Sequence, residues 1–232
     1  MKRIIFIIAI FSLCLSSVAQ KKVDTMDDNK WGWFEESDKY KSVGFDGEGH
    51  LVLTTNKMQK HVSPYAACAK TFAQLPMKGD KDYKLTIKCI SYVDENRVTK
   101  ALFAPVWKAF KAGPSIFSVF FNTNRKCLND EEGEGQFSTC AINILDKKYE
   151  VVIGPEEVHK DNLPGKFKFG KNHPVEFTIT KQSQTLIIEI NGIQIFKGKC
   201  NLTESCIGFM APLKQVLLID EVIIEQTDDE ED

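Results

Sequence analysis

Val175–Ile195 of this 232-residue chain reads VEFTITKQSQTLIIEINGIQI, and this stretch decides the fold class. Apolar residues alternate with polar ones through Val175–Thr180, and apolar residues recur at every second position of Leu186–Ile190. Such spacing is strand geometry, because successive side chains of a strand point to opposite faces. Asn191-Gly192 follows directly, and this dipeptide between two alternating runs is the strongest short-range hairpin signal. The stretch therefore predicts consecutive antiparallel strands.

The surrounding segments extend the pattern to a two-layer all-β fold. Tyr83–Tyr92 alternates in the same way, and Val216–Ile219 is nearly all apolar, as in a strand buried on both faces. A single hairpin is marginally stable in water, so a second sheet has to cover its apolar face. About a dozen strands are expected, which is typical of a sandwich or barrel. Pro105–Lys111 departs from this pattern and fits a short helix, an ordered loop or a strand through Leu102.

The N-terminus predicts export. Two basic residues open the chain, Ile4–Leu15 is an apolar run, and Ser17-Val18-Ala19 offers small residues for a signal peptidase. The run is shorter than the roughly 20 residues that span a bilayer, so no transmembrane segment is expected. We expect residues 1–19 to be a cleaved signal peptide of a periplasmic or extracellular, cell-surface bacterial protein. The rival, a lipoprotein signal through Cys14, has a bulky residue where a small one is needed.

Charge and composition indicate one domain with an acidic tail. The formal charge of −2 becomes −4 without residues 1–19, because Lys2 and Arg3 are lost. Residues 228–232 are all acidic, so the acidity belongs to the end of the chain. No basic patch with interleaved aromatic residues is present, and a nucleic-acid partner is not expected. The predicted organisation is a lead-in over 20–34, one β-sandwich over 35–226 and an acidic tail over 227–232.

Six cysteines follow residue 19, and an exported chain permits disulfides. Cys200 with Cys206, and Cys127 with Cys140, flank short predicted loops and are the candidate pairs. Cys89 and Cys140 also continue rows of inward apolar residues, as buried thiols do. Both interpretations stay open. The four histidines lack metal-ligand spacing, and no Cys-x-x-Cys pair exists, so a structural zinc site is not expected.

Three further patterns, taken with the hairpin, resemble one known superfamily. They are Asp46-Gly47-x-Gly49-x-Leu51-x-Leu53, Tyr83-x-Leu85-x-Ile87 and Leu218-Ile219-Asp220-Glu221-Val222-x-Ile224. Together they are similar to the opening strand, a core strand and the last strand of the concanavalin A-like lectins and glucanases. The resemblance covers about residues 31 to 226. It implies a jelly roll of two curved antiparallel sheets, with a concave face that binds sugar in many members.

The resemblance implies sugar binding more strongly than catalysis. Catalytic members carry Glu-x-Asp-x-x-Glu or a close variant on one concave strand, which sets the acid and nucleophile about 5–5.5 Å apart. No predicted central strand has this motif, and the acidic run Asp130–Glu134 falls in a glycine-containing loop. On the last strand, strict alternation would place Asp220 on the opposite face of the strand from Glu221 and Glu225. A glycoside hydrolase with an atypical acid/base pair, and a protein-binding or adhesion module, are the alternatives.

Candidate ligand-binding residues follow from the chemistry of sugars. Pyranose faces stack on aromatic rings, and amides or imidazoles bind hydroxyl groups. The candidates are Trp107, Trp33, Tyr65, His61, Asn122 and Asn124. Each tryptophan also fits a role in the core. Trp107 is the first choice because it falls in the irregular segment, and loops on a rigid scaffold tend to carry function.

The resemblance also implies a cation site. Related domains often hold a structural calcium ion between an N-terminal carboxylate and an aspartate of the last strand. Asp220 matches that aspartate, and Glu36 or Asp38 is the candidate partner. Carboxylate and carbonyl oxygens are the ligands that calcium prefers. The alternative role of Asp220 is that of a polar turn residue.

Overall fold

A computed structural model describes residues 19–38, 41–55, 68–94, 115–122, 140–145, 147–154, 157–164, 167–212 and 215–227. Fifteen strands form two antiparallel sheets in these ranges, and no helix occurs among them. The described residues therefore contain no helix long and apolar enough to cross a membrane. The predicted all-β sandwich is confirmed. Pro105–Lys111 lies outside the described residues.

The strand bounds follow the sequence pattern closely. The strands are β1 (Ala19–Asp24), β2 (Glu36–Ser37), β3 (Lys41–Phe45), β4 (Leu51–Thr55), β5 (Ala69–Gln74), β6 (Tyr83–Val93), β7 (Ser115–Asn122), β8 (Cys140–Leu145), β9 (Lys148–Ile153), β10 (Glu157–Asn162), β11 (Val175–Gln182), β12 (Thr185–Ile190), β13 (Ile193–Lys199), β14 (Cys206–Ala211) and β15 (Gln215–Thr227).

The first sheet has nine strands, and β15 organises it. Its order is β13-β12-β11-β6-β15-β4-β3-β2, with β1 also paired to β15. One edge of β15 pairs with β6 along its length, while the other edge changes partner. Val216–Ile219 pairs with β4, and Val222–Thr227 pairs with β1. The lead-in expected over 20–34 thus contributes a strand to the sandwich.

The second sheet has six strands in the order β10-β9-β8-β7-β14-β5. Alternate residues of both sheets point into one shared core. Phe117 of β7 meets Phe177 of β11 edge to face, with ring centroids 5.5 Å apart. Aromatic pairs favour this geometry because the positive ring edge faces the negative ring face. The core therefore joins the two sheets over their inner faces.

The hairpin that decided the fold class is present as predicted. Asn191 and Gly192 have φ angles of 51° and 73° and connect β12 to β13. Two consecutive positive φ angles are those of the type I′ turn, whose twist matches that of paired strands. The Asn191 side chain adds a contact, because its Oδ1 accepts a hydrogen bond from the Glu176 amide at 2.8 Å.

Candidate functional site

The six-stranded sheet has a face directed away from the shared core, called here the outer face. Its residues alternate with core residues along β5, β14, β7, β8, β9 and β10. Strand register aligns them in two rows across the sheet. The apolar row consists of Phe72, Gly208, Phe120, Ala141, Val152 and Val158. The polar row consists of Lys70, Met210, Ser118, Asn143, Glu150 and Lys160.

Aromatic packing fills one end of the apolar row. The Phe120 ring lies over Gly208, so that a side chain at this glycine would collide with it. Phe72 stacks on Phe34, with centroids 5.0 Å apart and ring planes 8° apart. Phe72 and Phe120 are both buried. The Phe72 and Phe120 rings at this end of the face are therefore packed and buried, and they are not available to a ligand.

Towards β8, β9 and β10 the face is accessible. Asn143, Glu150 and Val152 are half-buried there, and Val158 and Lys160 are exposed. We call these five residues the open part of the outer face. They combine an amide, an ion pair and an apolar floor, a mixture that fits the polar edges and apolar faces of sugars.

Hydrogen bonds orient the polar groups of this face. The buried Ser118 hydroxyl donates to Asn143 Oδ1 at 2.6 Å, and the Lys160 ammonium pairs with Glu150 at 2.7 Å. With its Oδ1 held by Ser118, the Asn143 amide offers its NH₂ group to an acceptor outside the strand. Side chains locked in this way bind a ligand at lower entropic cost.

Acidic residues are sparse on this face. In the six described strands Glu150 is the one carboxylate directed outward, and Lys160 neutralises it. The outward positions of β8 are Ala141, Asn143 and Leu145. A hydrolytic pair needs two carboxylates on one face at a set separation. The described strands of this sheet place no second carboxylate beside Glu150.

The predicted ligand residues are distributed unevenly over the structure. Trp33 is buried in the core, stacked on Phe209 at 5.2 Å, and its indole donates to Asp24 at 3.1 Å. It therefore has no exposed face for a sugar. Asn122 ends β7 in register with Cys206. The remaining candidates, Trp107, Tyr65, His61 and Asn124, lie outside the described residues.

Ser118 and Asn143 were missed by sequence reasoning. The available signal was polar interruption of apolar strands, SIFSVFFN in β7 and CAINIL in β8. Nothing local indicated that the two interruptions are cross-strand neighbours, because that depends on the register between β7 and β8.

Asp220 occupies a second polar site, where the register of β15 slips. Ile219 pairs with Cys89 and Glu221 pairs with Lys88, so Asp220 is an extra residue in the ladder. Such a bulge interrupts side-chain alternation, so alternation no longer places Asp220 and Glu221 on opposite faces of the strand. The bulge lies between the segments of β15 that pair with β4 and with β1. Bulges often redirect a side chain at a site of this kind.

The turn before β4 brings two more polar residues to this bulge. Asp46 Oδ1 accepts hydrogen bonds from the amides of Glu48 at 2.8 Å and His50 at 3.1 Å. His50 Nδ1 lies 2.7 Å from Asp46 Oδ2, and His50 Nε2 lies 3.6 Å from Asp220 Oδ1. We call Asp46, His50 and Asp220 the bulge cluster. One imidazole thus stands between two carboxylates.

The two carboxylates of the bulge cluster have opposite pKa shifts. Burial raises the pKa of Asp220, and the Asp46 charge adds to the effect. Burial alone would raise the pKa of Asp46, but hydrogen bonds from Glu48 and His50 outweigh it and lower the pKa. Asp220 Oδ1 is buried and has no hydrogen-bond partner among the described residues. A buried oxygen of this kind marks a place where a cation is favoured.

The partners predicted for Asp220 are not beside it. Glu36 lies in β2 and pairs with Lys41 at 2.8 Å, and Asp38 accepts a hydrogen bond from the Lys41 amide at 2.8 Å. Two strands, β3 and β4, separate β2 from β15. At about 4.8 Å per strand the gap is too wide for shared coordination. Asp46 is the N-terminal carboxylate whose charge acts on Asp220, in place of Glu36 or Asp38.

A shallow groove of about 340 Å³ lies beside the Asn191-Gly192 hairpin. Phe167, Lys168, His173, Pro174, Asn191 and Ile193 line it. The Asn191 oxygen is already engaged by the Glu176 amide.

Comparison with known proteins decides the identity of the fold. No family model and no curated protein matches the chain. Among solved structures, a galectin-like protein of unknown function from Bacillus subtilis matches 90% of this chain and 96% of its own, with 10% identity and a TM-score of 0.57. The fold is the concanavalin A-like jelly roll.

Other jelly-roll structures agree with this assignment. The VIP36 exoplasmic/lumenal domain, in its Ca²⁺/Man₃GlcNAc-bound form, matches 86% of this chain and 87% of its own at 11% identity and a TM-score of 0.54. A Bacillus licheniformis β-glucanase matches 92% of this chain and 100% of its own, at 10% identity and a TM-score of 0.52. The chain also matches a sialidase, of which it spans 19%. These likenesses show the jelly roll, and both lectins and glucanases are among its members.

Proposed function

We propose that this chain is an exported carbohydrate-binding module that binds sugar on the open part of the outer face without cleaving it. The observation that carries the proposal is the Ser118–Asn143 hydrogen bond, which fixes an amide beside the apolar row. Export is supported by the signal-like residues 1–19. The likeness to VIP36 supports the ligand class, because that domain is described with a mannose-containing glycan.

The open part supplies the two kinds of contact that sugars need. Asn143 and the Glu150–Lys160 pair provide donors and acceptors at fixed positions for hydroxyl groups. Val152 and Val158 provide an apolar surface for the C–H face of a pyranose. An aromatic platform is the usual third component, and Trp107 is the residue we propose for it, with Tyr65, His61, Asn122 and Asn124 as further contacts.

Binding is favoured over hydrolysis by the charges on this face. Glu150 is neutralised by Lys160, and its neighbour in the polar row is an amide rather than a second carboxylate. The described strands of this sheet therefore do not place a general acid and a base close together. A hydrolase would need a pair drawn from other segments, and release of reducing ends from a bound glycan would reveal one.

Binding of a protein partner is less well supported. The large apolar residues that are strongly exposed in the described ranges are Val93, Val158 and Ile193. They lie on three different strands, β6, β10 and β13. A protein interface usually presents a contiguous apolar patch. Scattered single residues do not provide one.

A glycan array tests the proposal directly. The wild-type protein is expected to retain a defined set of glycans, and Asn143→Ala to lower their binding about five- to tenfold, since a hydrogen bond to a neutral group is worth about 1–1.5 kcal/mol. Trp107→Ala is expected to lower binding with little loss of stability. Asn201→Ala, at an exposed residue between β13 and β14, is the matched control and keeps wild-type binding. Unchanged binding in Asn143→Ala would refute the site.

A structural cation at the bulge cluster forms the second part of the proposal. Asp220 Oδ1, which is buried and accepts no hydrogen bond from a described residue, fits a cation, and Asp46 is close enough for its charge to act on Asp220. The side chains of Asp46, Glu48 and His50 are close enough to one another to share an ion. Oxygen ligands suit calcium, whereas the imidazole of His50 does not, so His50, with Nε2 at 3.6 Å from Asp220 Oδ1, is the competing partner of Asp220. The ion would join the turn before β4 to the last strand. The likeness to VIP36, described in a Ca²⁺-bound form, supports this choice of metal.

Thermal unfolding with and without calcium shows whether calcium or His50 is the partner of Asp220. Calcium at a hundred times its Kd stabilises by about 2.7 kcal/mol, or roughly 5–10 °C in Tm. We expect this rise in the wild-type protein, its reversal by EDTA and its absence in Asp220→Asn. Glu36→Gln is the control, because Glu36 lies away from the bulge, and it keeps the full rise. A Tm that calcium and EDTA leave unchanged in the wild-type protein would contradict the cation site.

A further inference from the structure

Two buried cysteines from different sheets meet inside the sandwich. Cys140 opens β8 of the six-stranded sheet, and Cys200 directly follows β13 at the edge of the nine-stranded sheet. Their exposed fractions are 0% and 2%, and both belong to the shared core. Both are free thiols in the structure, and they lie within hydrogen-bond reach of each other. Sixty positions of sequence separate them, so the contact is a product of the fold.

The backbone holds both cysteines in place. Cys140 pairs with Phe121 on one side and with Ile153 on the other. The Cys200 amide donates to the Gln184 carbonyl at 2.8 Å. The two neighbouring thiols are therefore carried by chain segments that backbone hydrogen bonds hold in place.

The contact shifts the pKa values of the two thiols in opposite directions. The Cys200 thiol, burial and Glu204 raise the pKa of Cys140, whereas the hydrogen bond with Cys140 lowers the pKa of Cys200 although burial and Glu204 oppose it. Cys200 is therefore the thiol that loses its proton more readily, which suits it to the first attack on an oxidant. The disulfide that results carries no charge, as a buried site favours.

We propose that Cys140 and Cys200 form a disulfide bond that ties the two sheets together. The co-reactant is a disulfide oxidant of the thiol–disulfide exchange class. The Cys200 thiol loses its proton and attacks the oxidant, forming a mixed disulfide and releasing one thiol. Cys140 then loses its proton, attacks the Cys200 sulfur and releases the second thiol. Two protein thiols are oxidised, one oxidant disulfide is reduced, and two protons pass to the thiols that leave.

The bond differs from the pairs expected from sequence spacing. Those pairs, Cys200 with Cys206 and Cys127 with Cys140, close short loops, and Cys127 lies outside the described residues. A Cys140–Cys200 bond encloses β8 to β13, a much longer loop. A crosslink stabilises more as its loop lengthens, because it removes more freedom from the unfolded chain.

Peptide mapping after oxidation tests the assignment. The purified full chain is refolded with oxidised and reduced glutathione, its free thiols are alkylated, and it is digested without reductant. The linked peptide expected by mass spectrometry joins Cys140 to Cys200. A linkage of Cys200 to Cys206, a linkage of Cys127 to Cys140, or complete alkylation of Cys140 and Cys200 would overturn the proposal. The test does not depend on export, because the oxidant is supplied.

Thermal unfolding with and without reductant gives an independent readout. Reduction is expected to lower the Tm of the oxidised wild-type protein by about 10 °C. Cys140→Ser and Cys200→Ser should each lose this sensitivity to reductant, whatever their own Tm. Cys89→Ala removes an equally buried thiol and should keep it. Cys206→Ala should also keep it, and loss of the sensitivity in Cys206→Ala would contradict the pairing.

Discussion

Gly208→Ala probes the packing that supports the outer face. Gly208 lies in β14 between Phe72 of β5 and Phe120 of β7. An added Cβ would meet the Phe120 ring and would stand 2.7 Å from the Thr71 carbonyl oxygen. The ring can rotate away, but the carbonyl belongs to a paired strand. Overpacking of this kind costs about 1–3 kcal/mol, and a loss of 2 kcal/mol lowers Tm by about 4–8 °C in a chain of this size.

Equilibrium unfolding in urea and thermal unfolding measure the effect. Gly44→Ala is the matched control, because Gly44 is also a strand glycine and, among the described residues, an added Cβ there would meet Glu35 alone, at 3.4 Å. Its stability should change by less than about 0.5 kcal/mol. Adding Phe120→Ala to Gly208→Ala removes the ring collision but leaves the Thr71 contact. A Gly208→Ala protein as stable as Gly44→Ala would show that the Phe120 ring does not lie on this glycine.

Two further predictions concern buried polar groups. Lys181 is 2% exposed and donates to the carbonyls of Asp80 at 2.7 Å and Lys81 at 2.9 Å, so Lys181→Met should cost about 2 kcal/mol in urea unfolding; an unchanged midpoint would contradict it. Burial raises the pKa of Cys89 from 9.0 to about 12, so the folded state keeps a proton that the unfolded state releases. Wild-type stability relative to Cys89→Ala should therefore fall by about 2 kcal/mol between pH 9 and 11, and a constant difference would show that Cys89 is not desolvated.

Local pattern predicted the strands well where a single face is buried. Tyr83–Tyr92 alternates because one face of β6 meets the core, and its predicted bounds differ from β6 by one residue. The alternating runs Val175–Thr180 and Leu186–Ile190 lie within β11 and β12. The Asn191-Gly192 turn was recognisable because few residues tolerate two successive positive φ angles.

Long-range register explains what the sequence could not supply. The bulge at Asp220 arises because β15 changes partner along one edge, and a single strand gives no sign of its neighbours' ends. The resemblance implied Glu36 or Asp38 as the partner of Asp220, yet β3 and β4 separate β2 from β15. The polar lead-in was underestimated for the same reason, since β1 has few apolar residues and gains its order by pairing with β15.

The site residues show the same limit. Ser118 and Asn143 each interrupt an apolar strand, but only the β7–β8 register makes them neighbours. Cys140 and Cys200 have no shared local motif, and the sandwich brings them together. Trp33 was a reasonable sugar-binding candidate by residue type, and its hydrogen bond to Asp24 in the core shows why residue type alone does not decide exposure.

Chemical-shift mapping by NMR tests the central claim most directly. The isotope-labelled protein is titrated with the oligosaccharide that binds most tightly on the glycan array. We predict that amide shifts concentrate on Asn143, Glu150, Val152, Val158 and Lys160, with no change at the groove beside Asn191-Gly192. Saturable shifts confined to that groove or to the nine-stranded sheet, with none on the open part of the outer face, would contradict the proposed site.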